Sequence, residues 1–116
     1  MSKFKRSDRV SHVIHRAVSN IIENDLWDRR VGMVTVTGVE LEKNLKNAQV
    51  YVSVLGDNEA IELSIDTLNN ASSFIRARLG ERVDLKYTPT IKFCYDSSVV
   101  DGMHMDKLIN EINREY

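Results

Sequence analysis

Cysteine is almost missing from this chain: Cys94 stands alone among 116 residues, so no internal disulfide can form and a reducing compartment is implied. No apolar run approaches the ~18 to 20 residues that a membrane-spanning helix needs. The opening Met1-Ser2-Lys3-Phe4-Lys5-Arg6 carries neither an apolar segment nor a small-residue cleavage site, so no signal peptide is read there. The five glycines are scattered singletons, which excludes a glycine-rich phosphate loop. A cytoplasmic protein without a nucleotide-binding loop is the expectation.

An excess of charge of one sign is missing too. Sixteen Lys and Arg against seventeen Asp and Glu give a net charge of −1, whereas an indiscriminate polyanion binder is usually strongly basic. The charge is segregated instead. Residues 1–30 and 71–96 are basic on balance, and residues 31–70 and 97–116 are acidic. Two basic blocks form a local patch only if the fold brings them together, a pattern that favours a specific docking partner.

What is present is one ordinary domain, expected over 1–116, with 42% hydrophobic and 28% charged residues. Val10, Ile14, Ala17 and Ile21, widened by Val13 and Val18, predict a helix over about 7–26, with Ser7 as its cap. Ala48, Val50, Val52 and Val54 alternate with Gln49, Tyr51, Ser53 and Leu55, which is the period of a half-buried strand. Before it, Val34 and Val36 share one parity and Val39 and Leu41 the other, so a β-bulge is expected at Thr37-Gly38. Glu42 to Asn47 then make the hairpin connection.

Helical spacing returns over about 59–82 through Ile61, Ile65, Leu68, Ala71, Ile75 and Leu79. Asn69-Asn70 and Ser72-Ser73 are poor interior helix residues, so a kink is expected at Ala71, Ser72 and Ser73. Ile91, Phe93 and Tyr95 predict a third strand, and about 103–115 a last helix. The order α-β-β-α-α-β with an additional C-terminal helix, around a three-stranded mixed sheet, describes an α+β two-layer domain.

Residues fit for catalysis are scarce. His12 and His15 lie three apart with no third metal ligand in view. Cys94 sits between Phe93 and Tyr95 as an inert strand thiol, and Asp96-Ser97-Ser98 has no histidine partner for a triad. No catalytic residue, metal or cofactor is expected. Material for binding is better. Lys5 and Arg6 precede Arg9, His12 and Arg16, which line one side of the first helix with Asn20. A second basic cluster comprises Arg76, Arg78, Arg82 and Lys86. Arg78 and Arg82 share a helix face, while Arg76 points about 160° away at ~100° per residue, so at least one of the cluster is structural or in a different contact. Tyr51 and Tyr87 are candidates for stacking on bases.

The ordered segments Asp28-Arg29-Arg30-Val31-Gly32-Met33, Val34-Thr35-Val36-Thr37-Gly38-Val39, Leu45-x-x-Ala48-x-Val50-Tyr51-Val52, Leu68-x-x-Ala71-x-x-Phe74-Ile75-Arg76 and Pro89-x-Ile91-x-Phe93-x-Tyr95-Asp96-x-Ser98 resemble the ribosome-binding factor A family over almost the whole chain. The resemblance implies a KH-like domain of the second topological type, with a bent helix pair in place of the GxxG loop. It implies a bacterial assembly factor that binds free or immature small (30S) subunits through rRNA. Late maturation of the small-subunit rRNA, including its 5′ end, and growth in the cold are the implied roles. A monomer is expected, with an assembly GTPase as a possible agent of release. Three positions depart from the family: Arg29 for Pro, Asn44 for Asp and Ser73 for Gly. Other readings are a generic KH-type binder of single-stranded RNA and a protein-interaction domain.

Overall fold

The structure, a computed structural model, describes residues 6–97. Helix α1 (Arg6–Asn24) is followed by the antiparallel strands β1 (Met33–Leu41) and β2 (Asn47–Leu55). Helices α2 (Asn58–Asn70) and α3 (Ser72–Arg82) then cross back to β3 (Thr90–Tyr95), which lies parallel to β2. The strand order is β1-β2-β3. This is the α-β-β-α-α-β order and mixed sheet of a KH-like domain of the second type. The C-terminal helix expected over 103–115 lies outside the described residues.

Side-chain alternation decides which face of the sheet is covered. Val36, Val50, Val52, Val54, Ile91 and Phe93 turn inward and form one core with Ile14, Val18 and Ile21 of α1, Leu68 of α2, and Ile75 and Leu79 of α3. Helix α1 lies over β1, while α2 and α3 lie over β2 and β3. Burial of these side chains is the main stabilising term, at ~1.5 to 3 kcal/mol for each large aliphatic. Val13 does not widen that apolar stripe: it is 43% exposed. At ~100° per residue it falls about 40° from Arg9, on the polar side of α1, and Val18 fills the core position instead.

The bulge forms where the change of parity requires it. Val36 pairs with Val52 and Gly38 with Tyr51, and the register shifts between them. In the hairpin, Leu45 takes a left-handed conformation (φ 61°), and the Asn44 carboxamide oxygen accepts from the Lys46 N–H at 2.9 Å. Asparagine therefore makes the Asx turn expected of aspartate at this position.

The break between α2 and α3 falls at Ala71 (φ −93°, ψ 6°). Its N–H reaches both the Thr67 and Leu68 carbonyls, and its own carbonyl accepts from Ile75, so the backbone changes direction with its hydrogen bonds kept. No positive φ is used at the bend. Ser72 and Ser73 are already inside α3, so serine in place of glycine does not prevent the kink. Ser7 likewise lies within α1 and is not its cap. At the other end α1 stops at Asn24, because the N–H groups of Asp25 and Leu26 both turn back to the Ile21 carbonyl.

Candidate nucleic-acid interface

Helix α1 positions the first basic group. Arg9, His12 and Arg16 are all exposed and lie within about 60° of one another around the helix, with Asn20 on the same line. Arg6 opens α1, and Lys5 lies outside the described residues. Glu23, two turns beyond Arg16, ends the stripe with opposite charge, so the basic part is the first half of the helix.

The second basic cluster separates into individual jobs. Arg76 donates through Nε and Nη2 to the Thr88 carbonyl at 3.1 and 2.9 Å, tying α3 to the segment that enters β3. Helical spacing sets Arg76 apart from Arg78 and Arg82, and this contact is a structural one. Beside it, Gly80 admits the close approach of Thr88, whose hydroxyl would stand 3.1 Å from a Cβ added there. Arg78 pairs with Glu81 at 3.4 Å and lies 5.2 Å from the centre of the Phe74 ring. Arg82 reaches back to α1, donating to the Asn20 side chain and forming an ion pair with Asp25.

Lys86 goes to the opposite end of α1. Its ammonium sits 5.6 Å from the centre of the Tyr87 ring, and that of Lys46 sits 5.5 Å from the same ring. Tyr87 and Lys86 share a shallow groove with Val10, Asn44, Leu45 and Leu85. The fold thus sets Lys46 and Lys86 near the start of the α1 stripe and Arg82 near its end, with Arg76 and Arg78 turned to other contacts. Lys46 was not legible as a site residue, since only the return of the hairpin toward α1 brings it there.

The remaining surfaces are less suited to a polyanion. On the open face of the sheet, burial pushes the Tyr51 phenol above its ordinary pKa, with the charges of Glu40, Cys94 and Asp96 adding to the effect. Tyr51 donates to the Gln49 side chain at 2.8 Å, and Thr37 donates to Asp96. Glu59, Glu62 and Asp66 line the exposed side of α2 around the half-exposed Leu63. Among the described residues no group of three His, Cys, Asp or Glu could hold a metal ion, and no helix is long and apolar enough to cross a membrane.

One prominent feature had no signal in the pattern of residues. Trp27, in the loop between α1 and β1, is 91% exposed. The loop around it is well held. Leu26 and Val31 pack against the core, and the Gly32 N–H donates to the buried Ser64 hydroxyl at 3.1 Å. Asp28 receives Arg30 Nε and Nη2 at 2.9 and 2.7 Å, and also the Arg30 backbone N–H at 3.0 Å. These hydrogen bonds from Arg30 hold the Asp28 carboxyl at a pKa of about 2.

A small two-layer α+β domain with one cationic helix side is the class of protein that fold and surface define. Comparison with known proteins gives the particular family. The family model described as ribosome-binding factor A matches residues 6–109, and the chain belongs to this family. It is 42% identical over 110 residues to ribosome-binding factor A of Desulfitobacterium hafniense, covering 95% of this chain and 88% of the relative. With the protein of the same name from Trichlorobacter lovleyi the identity is 43%, covering 95% and 89%.

Solved structures agree. The crystal structure of ribosome-binding factor A from Thermus thermophilus superposes with a TM-score of 0.70 at 25% identity, covering 78% of this chain and 97% of that one. A homology model of the Thermus thermophilus factor, as fitted into the cryo-EM map of its 30S complex, superposes with a TM-score of 0.61 at 27% identity, covering 73% and 89%.

Proposed function

We propose that this chain binds free or immature small ribosomal subunits by docking on rRNA, and that it promotes late maturation of the subunit, including processing at the 5′ end of its rRNA. The observation that carries the reading is the joining of the separated basic blocks: Arg82 is tied to Asn20 and Asp25 at one end of the α1 stripe, and Lys86 with Lys46 lies near the other. Family membership and the 30S complex of the Thermus thermophilus relative support the choice of partner.

Structured RNA is read chiefly through its shape, phosphates and 2′-hydroxyls, so a short and well-placed cationic surface is sufficient. Arginine forks onto phosphate oxygens, and lysine supplies a mobile point charge. The interface comprises Arg9, His12, Arg16, Lys86 and the exposed part of Arg82, extended by Lys5 and Arg6. Arg76 and Arg78 support it from within α3. The acidic side of α2 repels phosphate and so limits the orientations in which the domain can dock. The factor acts as a cytoplasmic monomer, catalyses nothing, leaves before translation with the help of an assembly GTPase, and matters most in the cold, where misfolded RNA escapes slowly.

The test is sedimentation of a cell extract with and without the double reversal Arg9→Glu/Arg16→Glu. The wild-type chain should migrate with free small subunits and not with complete ribosomes. The variant should stay at the top of the gradient with its far-ultraviolet circular dichroism unchanged. Co-migration of the variant with subunits would exclude this surface.

A further inference from the structure

The geometry points to the loop between α1 and β1 as a single-nucleotide platform, with Trp27 stacking on an unpaired base of the RNA and Arg29 holding a neighbouring phosphate. This rests on the rRNA-docking reading and names a contact that the α1 stripe does not supply.

An indole left 91% exposed is unusual, because tryptophan is among the residues most buried on average. The loop does not leave it there through slackness. Leu26 and Val31 anchor the two ends in the core, the Gly32–Ser64 hydrogen bond pins the exit, and the Asp28–Arg30 fork sets the turn between them. Its ordering cost is therefore met on folding rather than on binding.

The charges around the indole select the partner. Asp25 is paired with Arg82 and Asp28 with Arg30. With Glu23, three carboxylates and three guanidinium groups surround the loop, so its charge is balanced overall, and among the described residues the exposed Arg29 is the guanidinium outside an ion pair. Glu23 lines, with Ile22, Leu26, Asp28 and Val31, an open groove of about 390 Å³ beside the loop. Those two carboxylates disfavour phosphate in the groove and leave it to Arg29 and the exposed part of Arg30. Tyr87, with the ammonium groups of Lys46 and Lys86 near its ring, belongs instead to the surface at the start of α1. An aromatic face beside an unpaired arginine fits single-stranded RNA, in which bases are splayed out of the stack. The groove beside the loop also carries Ile22, Leu26, Val31, Met33 and Val34, so the choice of RNA over a protein rests on Arg29, and Trp27→Leu separates the two.

Trp27 is the only tryptophan of the chain, so its emission reports on this contact alone. Titration with an adenosine hexanucleotide should quench it saturably. For free small subunits, Trp27→Ala should weaken binding roughly 5- to 100-fold, with an unchanged slope of log affinity against log salt. Trp27→Phe should keep most of the affinity and Trp27→Leu should not. Arg29→Ser should lower the slope by about one unit.

Wild-type affinity in Trp27→Ala overturns the proposal. Full rescue by Trp27→Leu also overturns it, since it marks an apolar pocket on a protein. If the wild-type chain fails to bind subunits at all, the rRNA-docking reading falls by itself. The hexanucleotide titration then decides the loop: saturable quenching upholds the platform, and its absence removes it.

Discussion

The side chain of Asn69 clamps the backbone of Phe93, donating from Nδ2 to the Phe93 carbonyl at 3.1 Å and accepting from the Phe93 N–H at 2.8 Å. The N–H groups of Thr90, at the start of β3, and Asp96, just past its end, donate to the Lys46 and Val52 carbonyls on the β2 side, so by alternation the polar groups of Phe93 face the outer edge of the sheet. A carboxamide of α2 therefore does for one residue what a fourth strand would do. Removing it leaves a part-buried donor and acceptor without partners. Asn69→Ala should lower stability by about 1 to 3 kcal/mol, measured by urea unfolding, while Asn70→Ala should have little effect.

Serine is no obstacle to the helix break, because the bend is made at Ala71 without a positive φ and Ser73 is an ordinary residue of α3. Restoring the family's glycine by Ser73→Gly should cost about 0.5 kcal/mol through added freedom of the unfolded chain. Thermal unfolding should show a fall of a few degrees, with the helical signal of the folded state kept.

Gly56 presents the opposite case. It holds φ 146°, and a Cβ there would meet the Ala60 Cβ at 2.8 Å. Gly56→Ala should destabilise the domain by about 1 to 3 kcal/mol in the same urea assay, from backbone strain and the clash at the start of α2.

The Asp28–Arg30 pair makes a prediction about pH. Arg30 lowers the Asp28 carboxyl from 3.8 to about 2. A depressed carboxylate contributes stability that is fully present above the unfolded value and is lost as pH falls through the folded value. The fork should therefore persist down to about pH 3 and open near pH 2. Carboxyl carbon shifts of Asp28 followed by NMR should show that midpoint, and Arg30→Ala should return it towards 3.8. A mildly acidic buffer should leave the loop of Trp27 in place.

Docking on rRNA should respond steeply to salt, because each phosphate contact releases counterions. Binding of the wild-type chain to small subunits, measured between about 50 and 200 mM salt, should lose close to one log-log unit per contact. Arg16→Ala should reduce that slope by about one. Arg76→Ala should leave it unchanged while lowering stability, since Arg76 spends its donors on the Thr88 carbonyl.

Much of this architecture was legible in the residues. The parity change between Val36 and Val39 located the bulge, and the run of Asn and Ser around Ala71 located the helix break. Helical spacing alone separated Arg76 from Arg78 and Arg82. What was not legible depends on contacts between distant elements. Asn69 reads locally as a poor helix former, and its work at the edge of β3 exists only once α2 and β3 are adjacent. Val13 is different, since helical spacing alone sets it about 40° from Arg9 on the polar side while Val18 takes the core position. Lys46 joins Lys86 through the hairpin, across 40 residues. Trp27 carries no periodic signal because it sits in a loop, where exposure follows from how the flanking Leu26 and Val31 are anchored.

The bulge at Gly38 has a consequence for behaviour at high concentration. A regular outer strand offers an unbroken ladder of donors and acceptors to any extended chain that meets it, and that is how sheets recruit foreign strands and grow into fibres. Here the shift between Val36 and Gly38 interrupts that ladder midway along β1, and the carboxamide of Asn69 occupies the middle of the edge at β3. Among the described residues neither margin of the sheet presents a continuous template, so the domain is protected against runaway strand addition at both sides.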